Sequence, residues 1–523
     1  MSDKNFLRNV VNLRKQKLTS LFLFALLLQS CTSETKKEAI KTPDFCSCIH
    51  CDTMIGISKA LNQFSDLMLH KTGVYVLEDG GGSLVARAWL CENAEETIDV
   101  QYFIFTADNV GLIAADYLVR AADRGVTVRI LVDDVMVEAD EKSLLTLDSH
   151  PNIGIKIYNP TTNVGKNFFQ KINGFRTDFA GANQRMHNKT VTVDGKVVIT
   201  GGRNIADEYF DYDHEYNFRD RDVLLIGGVV NKVQQSFNGF WNSPISHAIT
   251  ELVDTSDFKF DANKFETLHQ YACDSNNFWL QVRNKITNVP QALSVIQKSG
   301  TFQWVDSVEF VSDIPGKNDG SKGLSGGGGS TTALINLVNG AKKSIVIQSP
   351  YLITTDLGKQ LFKDAVARGV EVKIMTNSLS STDNLEAFSG YQRDREALLS
   401  TGVRIFEYKP DAAIRYNIMT GALQKKMNFT PTFGLHAKSM VIDGNITVIG
   451  TFNLDPRSAN LNTECVTIIH SASISAGVLK EIEEELKPEN CWETTLNYNP
   501  DKEAGFKKNL KLMPMKIIPK GIL

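Results

Sequence analysis

One motif occurs twice in this chain, and each copy follows the same succession of predicted elements: helix, strand, helix, strand. The predicted elements are residues 84–93, 97–105, 111–123 and 126–134 in the first copy, and 331–338, 344–353, 357–367 and 370–378 in the second. Continuous apolar strands that alternate with amphipathic helices are typical of α/β layers with strands buried on both faces. The repeat therefore predicts two similar α/β halves, and a chain of 523 residues exceeds what one hydrophobic core usually accommodates.

The motif has the form H-x-K-x4-D. In both copies lysine follows histidine by 2 residues, aspartate by 7, glycine by 14 and asparagine by 17. The members are His187, Lys189, Asp194, Gly201 and Asn204 in the first copy, and His436, Lys438, Asp443, Gly450 and Asn453 in the second. One match would be weak evidence, but two with matching downstream spacing, after matching predicted elements, are strong.

These residue types suit chemistry at phosphorus. In a strand, His187 and Lys189 point the same way, and Asp194 with Gly195 predicts a hairpin turn that returns the chain towards Asn204. A neutral imidazole can attack phosphorus, while lysine and asparagine bind the nonbridging oxygens. With two copies, one histidine can attack while the other, protonated, donates to the leaving oxygen. The predicted site therefore needs no metal and no cofactor.

Acidic residues further along the chain are candidates to orient the imidazoles. Asp220 and Glu464 each precede an apolar strand and could accept a hydrogen bond from a ring N–H. Glu215 and Asp222 are alternatives to Asp220, because acidic residues are dense there. For Asp194 and Asp443, the hairpin turn is a sufficient explanation without direct chemistry.

The N-terminus predicts export. A basic segment containing Lys4 and Arg8 precedes the apolar run 18–28, which is too short to span a bilayer. The run Leu28-Gln29-Ser30-Cys31 resembles a bacterial lipobox, so residues 1–30 are predicted to be a signal peptide and Cys31 the lipidated first residue of the mature protein. Residues 31–70 then form a tether, and the protein is expected in the cell envelope, outside the cytoplasm.

The tether carries a cysteine cluster, CSCIHC, with Cys46, Cys48 and Cys51 around His50. An oxidising compartment favours local disulfides over a zinc site, and the scattered Cys91, Cys273, Cys465 and Cys491 are predicted to be buried thiols. The net charge of -4 and the pI of about 6.2 provide no broad positive field for a nucleic-acid backbone. No nucleic-acid partner is therefore expected.

The paired motifs resemble the HKD signatures of the phospholipase D superfamily, and further stretches such as 201–210 and 451–464 are similar to its bacterial cardiolipin synthase-like members. The resemblance implies two phospholipase D-like α/β repeats, each a mixed β-sheet flanked by helices, packed face to face around one active site. It also implies that His187 is the nucleophile and His436 the general acid and base. Lys189, Lys438, Asn204 and Asn453 would bind the phosphate. Gly202-Arg203 in the first copy corresponds to Thr451-Phe452 in the second, so the two halves are not equivalent.

The implied reaction is phosphatidyl transfer from a phospholipid to an alcohol or to water, so synthase and hydrolase both stay open. An exported nuclease and a non-catalytic lipid-binding protein are the alternatives. One chain completes one site, so a monomer suffices, and the basic-apolar tail 505–523 is a second candidate for membrane contact. The predicted divisions are 1–30, 31–70, a first half 71–314, a Gly/Ser-rich linker 315–330 and a second half 331–523.

Overall fold

Two β-sheets, one for each copy of the repeat, form the framework of the protein. The computed structural model describes residues 56–136, 139–161, 163–165, 183–256, 258–261, 263–287, 301–317, 325–419 and 431–523. The predicted signal peptide, Cys31, the CSCIHC cluster and part of the predicted linker lie outside these residues.

Within the described residues the first sheet has nine strands, in the order β10-β1-β8-β6-β5-β2-β3-β4-β9. The strands of this half are β1 Thr72–Leu77, β2 Thr97–Tyr102, β3 Thr127–Asp133, β4 Ile153–Tyr158, β5 Thr190–Val193, β6 Val197–Gly201, β7 Tyr216–Arg219, β8 Asp222–Gly227, β9 Ser246–Ala248 and β10 Gln303–Val305. The neighbours β2, β3 and β4 run parallel, while β5, β6 and β8 are antiparallel. The sheet is therefore mixed, as predicted.

The second sheet repeats this arrangement with eight described strands, in the order β11-β18-β17-β16-β12-β13-β14-β19. Its half contains β11 Val308–Ser312, β12 Ser344–Gln348, β13 Glu371–Asn377, β14 Arg404–Tyr408, β15 Thr432–Leu435, β16 Ser439–Ile442, β17 Ile446–Gly450, β18 Cys465–His470 and β19 Cys491–Thr494. Strands β7 and β15 belong to neither large sheet; they pair with each other in a two-stranded parallel sheet. The chain passes from the first sheet to the second between β10 and β11, ahead of the predicted linker.

Helices flank both sheets. Their bounds are Ile57–Leu61, Ser65–His70, Gly80–Glu92, Asn109–Asp123, Glu141–Asp148, Val230–Trp241, Ile249–Leu252, Asn263–Ala272, Leu280–Thr287, Gly329–Gly340, Asp356–Ala367, Leu385–Leu399, Arg415–Ile418, Pro456–Asn460, Ala472–Glu485 and Gly505–Met515. Equivalent helices begin in the same way: Asp108 accepts a hydrogen bond from Gly111 N, and Thr355 accepts one from Gly358 N. Such N-caps satisfy backbone donors that have no partner within the helix.

Apolar packing joins the two halves. One buried cluster lies in the first half around Ile98, and another lies in the second half around Ile345. A further cluster contains Val198 and Val223 of the first sheet together with Val441 and Ile449 of the second. The two sheets therefore pack face to face, and the predicted fold class is confirmed.

The described cysteines differ in one respect from the prediction. Cys91, Cys465 and Cys491 are free and buried, whereas Cys273 is disulfide-bonded, so its interpretation as a buried thiol is wrong. Ligand atoms of Asp116 and His269 lie near this sulfur, but a sulfur in a disulfide is not a thiolate ligand for zinc. Among the described residues, no helix is both long and apolar enough to cross a membrane.

Candidate active site

Each motif histidine lies three residues before a strand, beside a segment from the other half. His187 N donates a 3.0 Å hydrogen bond to Thr463 O, and His436 N donates a 2.8 Å bond to Arg219 O. The predicted alternation within a strand does not apply to the histidine-lysine pairs, because β5 begins only at Thr190 and β16 at Ser439. The backbone of each motif is thus held in place by the opposite half.

Each imidazole is hydrogen-bonded to a carboxylate from the opposite half. His187 Nδ1 lies 2.8 Å from Glu464 Oε2, and His436 Nδ1 lies 2.6 Å from Asp220 Oδ2. Glu464 immediately precedes β18, and Asp220 lies between β7 and β8. A carboxylate at Nδ1 selects the tautomer with the proton on Nδ1 and leaves Nε2 with a lone pair. Both imidazoles are therefore prepared to act through Nε2.

The structure shows which of Asp220, Glu215 and Asp222 contacts an imidazole. Asp222 accepts hydrogen bonds from Ser83 Oγ and Arg87 Nη2, both at 2.8 Å, so its carboxylate is part of a buried ion pair in the first half. The side chain of Glu215 is exposed at the surface. Asp220 is the acid that contacts an imidazole.

Neighbouring side chains hold the two carboxylates differently. Thr451 Oγ1 donates to Glu464 Oε2, and Ser458 Oγ donates to Glu464 Oε1 at 2.7 Å. At the position equivalent to Thr451, a Cβ on Gly202 would lie 2.1 Å from Asp220 Oδ1, so only glycine fits. The difference between Gly202 in the first copy and Thr451 in the second is thus a consequence of how each carboxylate is held. Sequence reasoning missed the contributions of Thr451 and Ser458, because nothing in their spacing points to Glu464.

Both motif lysines are buried beside their histidines. Lys189 Nζ donates to His187 O at 2.8 Å, and Lys438 Nζ donates to His436 O at 2.6 Å. Lys438 Nζ also lies 2.9 Å from His436 Nε2. The charge of Lys438 acts on the pKa of His187, and that of Lys189 acts on the pKa of His436. The four motif side chains therefore belong to one site.

The motif asparagines lie just past β6 and β17, at the same end of each hairpin as the histidines. Asn204 Oδ1 accepts a 3.2 Å hydrogen bond from Ile104 N. Asn453 Oδ1 is buried and has no hydrogen-bond partner among the described residues. A buried polar atom without a protein partner is unusual and indicates space for a ligand. Because a carbonyl oxygen can only accept a hydrogen bond, a contact of Asn453 with a bound phosphate would come from its Nδ2 amide, which donates.

Burial sets the protonation states of the motif histidines and lysines. It lowers the pKa of His187 to about 4, and burial together with the Lys438 charge lowers the pKa of His436 to about 3. Burial also lowers the pKa of Lys189 to about 7 and that of Lys438 to about 8. A bound phosphodiester carries negative charge, which raises the pKa of neighbouring cationic acids. Phosphate binding would therefore favour the protonation of one imidazole.

Although burial alone would raise the pKa of Glu464, the nearby His187 holds it below its usual range. His436 likewise holds the pKa of Asp220 well below its usual range, against the effect of burial. Both carboxylates are therefore ionised at neutral pH and can stabilise a positive charge on the imidazole.

The motif aspartates form the hairpin turns. Asp194 and Asp443 adopt left-handed φ angles of 51° and 53°. The Asp194 carboxylate accepts hydrogen bonds from the backbone N–H groups of residues 95, 96 and 97, and the Asp443 carboxylate accepts those of residues 342, 343 and 344. Each aspartate therefore ties its hairpin to the start of the neighbouring central strand, away from the imidazoles.

We expect Asp443→Ala to lower the free energy of unfolding by about 2–3 kcal/mol, since charge-assisted hydrogen bonds are lost and alanine disfavours the left-handed backbone. Asp443→Asn, which tolerates this backbone and keeps one acceptor, should lose less. Urea unfolding measures both effects. The turnover of the remaining folded protein should stay within about threefold of wild type, and a loss of several hundredfold would contradict a purely structural role.

Comparison with known proteins agrees with this geometry. Residues 90–241 and 334–486 match the family model described as "Cardiolipin synthase, PLD-like domain". The chain belongs to this family. Cardiolipin synthase C of Escherichia coli K12 is 33% identical over 405 residues, covering 77% of this chain and 82% of the relative. An uncharacterized protein of Helicobacter pylori 26695 is 34% identical over 409 residues, covering 77% of each chain.

A solved structure supports the same fold. Phosphatidylserine synthase of Haemophilus influenzae Rd KW20 has a TM-score of 0.52 at 15% identity, and the match covers 89% of this chain and all of that protein. Membership of the cardiolipin synthase family confirms the resemblance to the phospholipase D superfamily. It also confirms the predicted class of function, a phospholipase D-type enzyme that exchanges phosphodiester bonds of phospholipids.

Proposed function

We propose that this protein transfers a phosphatidyl group from a phospholipid to the hydroxyl of a second, lipid-borne alcohol through a phosphohistidine intermediate. The observation that carries the proposal is the pair of imidazoles, each bonded at Nδ1 to a carboxylate of the opposite half. The name of the E. coli relative, cardiolipin synthase C, supports an alcohol rather than water as the acceptor.

In the first step, His187 Nε2 attacks phosphorus, and the leaving alkoxide takes a proton from protonated His436 Nε2. Lys189, Lys438 and Asn453 bind the nonbridging oxygens. In the second step, neutral His436 takes the proton of the acceptor hydroxyl, whose oxygen attacks phosphorus and releases His187. Glu464 and Asp220 stabilise the charge on each imidazole as it forms. Protons balance over the cycle, and both histidines return to their starting states.

Lipid mass spectrometry tests this function. Purified protein is incubated with phosphatidylglycerol in which one of two pools carries deuterated acyl chains, with and without added glycerol and in the presence of a chelator. Transfer predicts a product that combines labelled and unlabelled phosphatidyl groups, and free glycerol should compete with its formation. Phosphatidic acid as the dominant product would indicate a hydrolase, and loss of all turnover in chelator would contradict the metal-free mechanism.

We also propose that the protein is anchored in the cell envelope through acylated Cys31. The lipobox-like run and the apolar segment before it support this location. The disulfide at Cys273 supports it independently, because disulfides are typical of compartments outside the cytoplasm. The intact mass of the wild-type protein should include acyl groups that are absent from Cys31→Ser, and an unmodified mass would contradict the anchor.

The C-terminal helix Gly505–Met515 supports a second membrane contact. Its exposed apolar side chains recur at helical spacing and continue one turn beyond it: Phe506 (80% exposed), Leu510 (53%), Met513 (65%) and Ile517 (85%). Lys507, Lys511 and Lys516 are also exposed along this segment. An apolar stripe flanked by lysines suits an anionic membrane surface. Lys508 attaches the helix to the body by donating to Ser380 O and Thr382 O.

In a Cys31→Ser background, the double variant Phe506→Ser/Ile517→Ser should bind phosphatidylglycerol vesicles at least about tenfold more weakly, because two apolar side chains no longer enter the lipid. Vesicle co-sedimentation measures this. The matched control changes two apolar residues exposed elsewhere, Leu69→Ser and Leu280→Ser, and should leave binding unchanged. Equal binding by both double variants would contradict a docking role for the C-terminal helix.

A further inference from the structure

One exposed acidic side chain lies near the motif residues of the second half without belonging to the motif. Asp383 lies in the loop 378–384, which follows β13, and its side chain is exposed. Tyr351, shortly after β12, donates a 2.9 Å hydrogen bond to Asp383 Oδ2. Burial lowers the pKa of Lys438, and the charge of Asp383 acts against that effect. The carboxylate is therefore within electrostatic range of the buried motif lysine and still accessible to solvent.

Hydrogen bonds from one asparagine fix this loop beside His436. Asn377 Oδ1 accepts a 2.8 Å bond from the backbone N–H of Leu435, which immediately precedes His436. The same oxygen accepts a 3.1 Å bond from Ser381 Oγ, within the loop. Asn377 Nδ2 donates to Leu435 O at 2.8 Å. The loop that carries Asp383 and the backbone that carries His436 are therefore held together.

Aromatic side chains of the first half connect His436 to the same loop. The centroids of the Phe218 and His436 rings lie 4.7 Å apart. The Tyr216 ring lies 5.0 Å from the Phe218 ring, and the Tyr216 hydroxyl donates a hydrogen bond to Ser381 O. One wall of aromatic rings thus extends from the imidazole to the loop that carries Asp383.

The position equivalent to Tyr351 in the first half is occupied by an apolar side chain, Ile104. The two residues correspond because each directly precedes an isolated β-bridge to the residue that follows the motif asparagine. Ile104 is 9% exposed and packs within the apolar core of its half. The phenol is therefore specific to the half that supplies His436, the histidine proposed to serve the leaving and the entering alcohol.

The charges around Asp383 favour a neutral ligand that donates hydrogen bonds. Desolvation by the surrounding groups raises the pKa of Asp383, while the hydrogen bond from Tyr351 opposes that effect. The charges of Lys438 and Lys508 oppose it as well, and because the side chain is exposed the carboxylate is ionised at neutral pH. A carboxylate has about four acceptor sites, so the bond from Tyr351 leaves capacity for a ligand hydroxyl. The two lysines disfavour a cationic ligand through repulsion between like charges.

We propose that Asp383 and Tyr351 bind the free hydroxyl groups of glycerol in the alcohol that meets His436, an inference that rests on the proposed function. His436 protonates the leaving oxygen and later deprotonates the acceptor, so the two alcohols occupy the same place in turn. The carboxylate of Asp383 accepts a hydrogen bond from a glycerol hydroxyl there, and Tyr351 holds the carboxylate in position. This pair therefore selects glycerol-bearing alcohols over simple alcohols.

Competition between two alcohols for one covalent adduct tests this inference. The p-nitrophenyl ester of dihexanoyl phosphatidic acid forms the adduct, and equimolar glycerol and n-propanol compete to release it. Because both products come from the same adduct, their ratio, measured by mass spectrometry, depends on the acceptor step alone. Asp383→Ala should lower the ratio of glycerol product to propanol product at least about tenfold, since a hydrogen bond to a charged group is lost. Tyr351→Phe should lower it about threefold, since a neutral hydroxyl is lost.

The matched control is Asp411→Ala, which removes the same charge from an exposed position in the loop after β14. Its product ratio should stay within about twofold of wild type, as is usual for surface substitutions. An unchanged ratio in Asp383→Ala, or an equal fall in Asp411→Ala, would overturn the inference.

A binding measurement separates this inference from the proposed function. In a His187→Gln background, calorimetry compares dihexanoyl phosphatidylglycerol with dihexanoyl phosphatidylmethanol, which has the same phosphodiester and no free hydroxyl. Asp383→Ala should weaken binding of the glycerol lipid at least about tenfold more than binding of the methanol lipid. Equal losses for both lipids, or an Asp383-dependent preference for the corresponding ethanolamine lipid, would overturn the inference. If the wild type transfers to neither alcohol, the proposed function fails, and this binding comparison alone decides whether Asp383 recognises glycerol.

Discussion

Replacing His187 with alanine is expected to lower phosphatidyl transfer by at least about 10⁴-fold and to remove the covalent intermediate. No other side chain in the described site is a ready nucleophile, because Lys189 Nζ is bonded to the carbonyl oxygen of residue 187 and His436 serves the leaving group. Rapid quenching followed by mass spectrometry of the peptide around residue 187 measures the phosphatidyl adduct. Lipid product analysis measures the rate.

His436→Ala should lower the rate with phospholipid as much as His187→Ala does. With a p-nitrophenyl phosphodiester, however, the two variants should differ in whether the covalent adduct forms. Nitrophenolate leaves without a proton, so the first step no longer needs a general acid and the adduct on His187 still forms. The adduct should accumulate in His436→Ala because no base activates the acceptor for the second step. His187→Ala should release no burst of nitrophenol from the p-nitrophenyl substrate. If adduct accumulated on His436 in the His187 variant instead, the two roles would be reversed.

Glu464→Gln is expected to impair His187 rather than His436, although Glu464 belongs to the second copy of the repeat. An amide can neither stabilise the imidazolium nor reliably select its tautomer, so the rate should fall by about 10²- to 10⁴-fold. With the p-nitrophenyl substrate, Glu464→Gln should slow the burst, as loss of the nucleophile does. Asp220→Asn should keep the burst and slow the release of the adduct.

Glu215→Gln is the matched control for these substitutions, because Glu215 is an exposed acid close to Asp220 in the chain. Its rate should stay within about twofold of wild type. If Asp220→Asn slowed the burst while Glu464→Gln slowed release, each acid would serve the histidine of its own half, contrary to the crossed pairs seen here.

Much of the fold was predictable from the repeat. The strand predicted at 126–134 is β3, Thr127–Asp133, and the helix predicted at 357–367 is Asp356–Ala367. Short-range sequence determines these segments, because both the apolar periodicity and the helix caps depend on residues close together in the chain. The edge strands β10 and β11 were not predicted, because each has only one sheet neighbour and a weak apolar pattern.

The motif residues of the site were predictable from the sequence, but the residues that hydrogen-bond to its carboxylates were not. His187, Lys189 and Asn204 meet at one end of a hairpin, as their spacing from Asp194 and Gly195 indicates. Thr451 and Ser458 were not singled out for Glu464, because hydroxyl groups are common and their use depends on which carboxylate packs beside them.

By itself, the sequence determined two hairpins, each with an imidazole, an ammonium group and a carboxamide at one end, since turn geometry acts over a few residues. Only the tertiary structure decided which carboxylate orients which imidazole. Glu464 is 277 residues from His187, and Asp220 is 216 residues from His436. Contacts over such separations arise from the packing of one sheet against the other, and no local pattern in the chain encodes them.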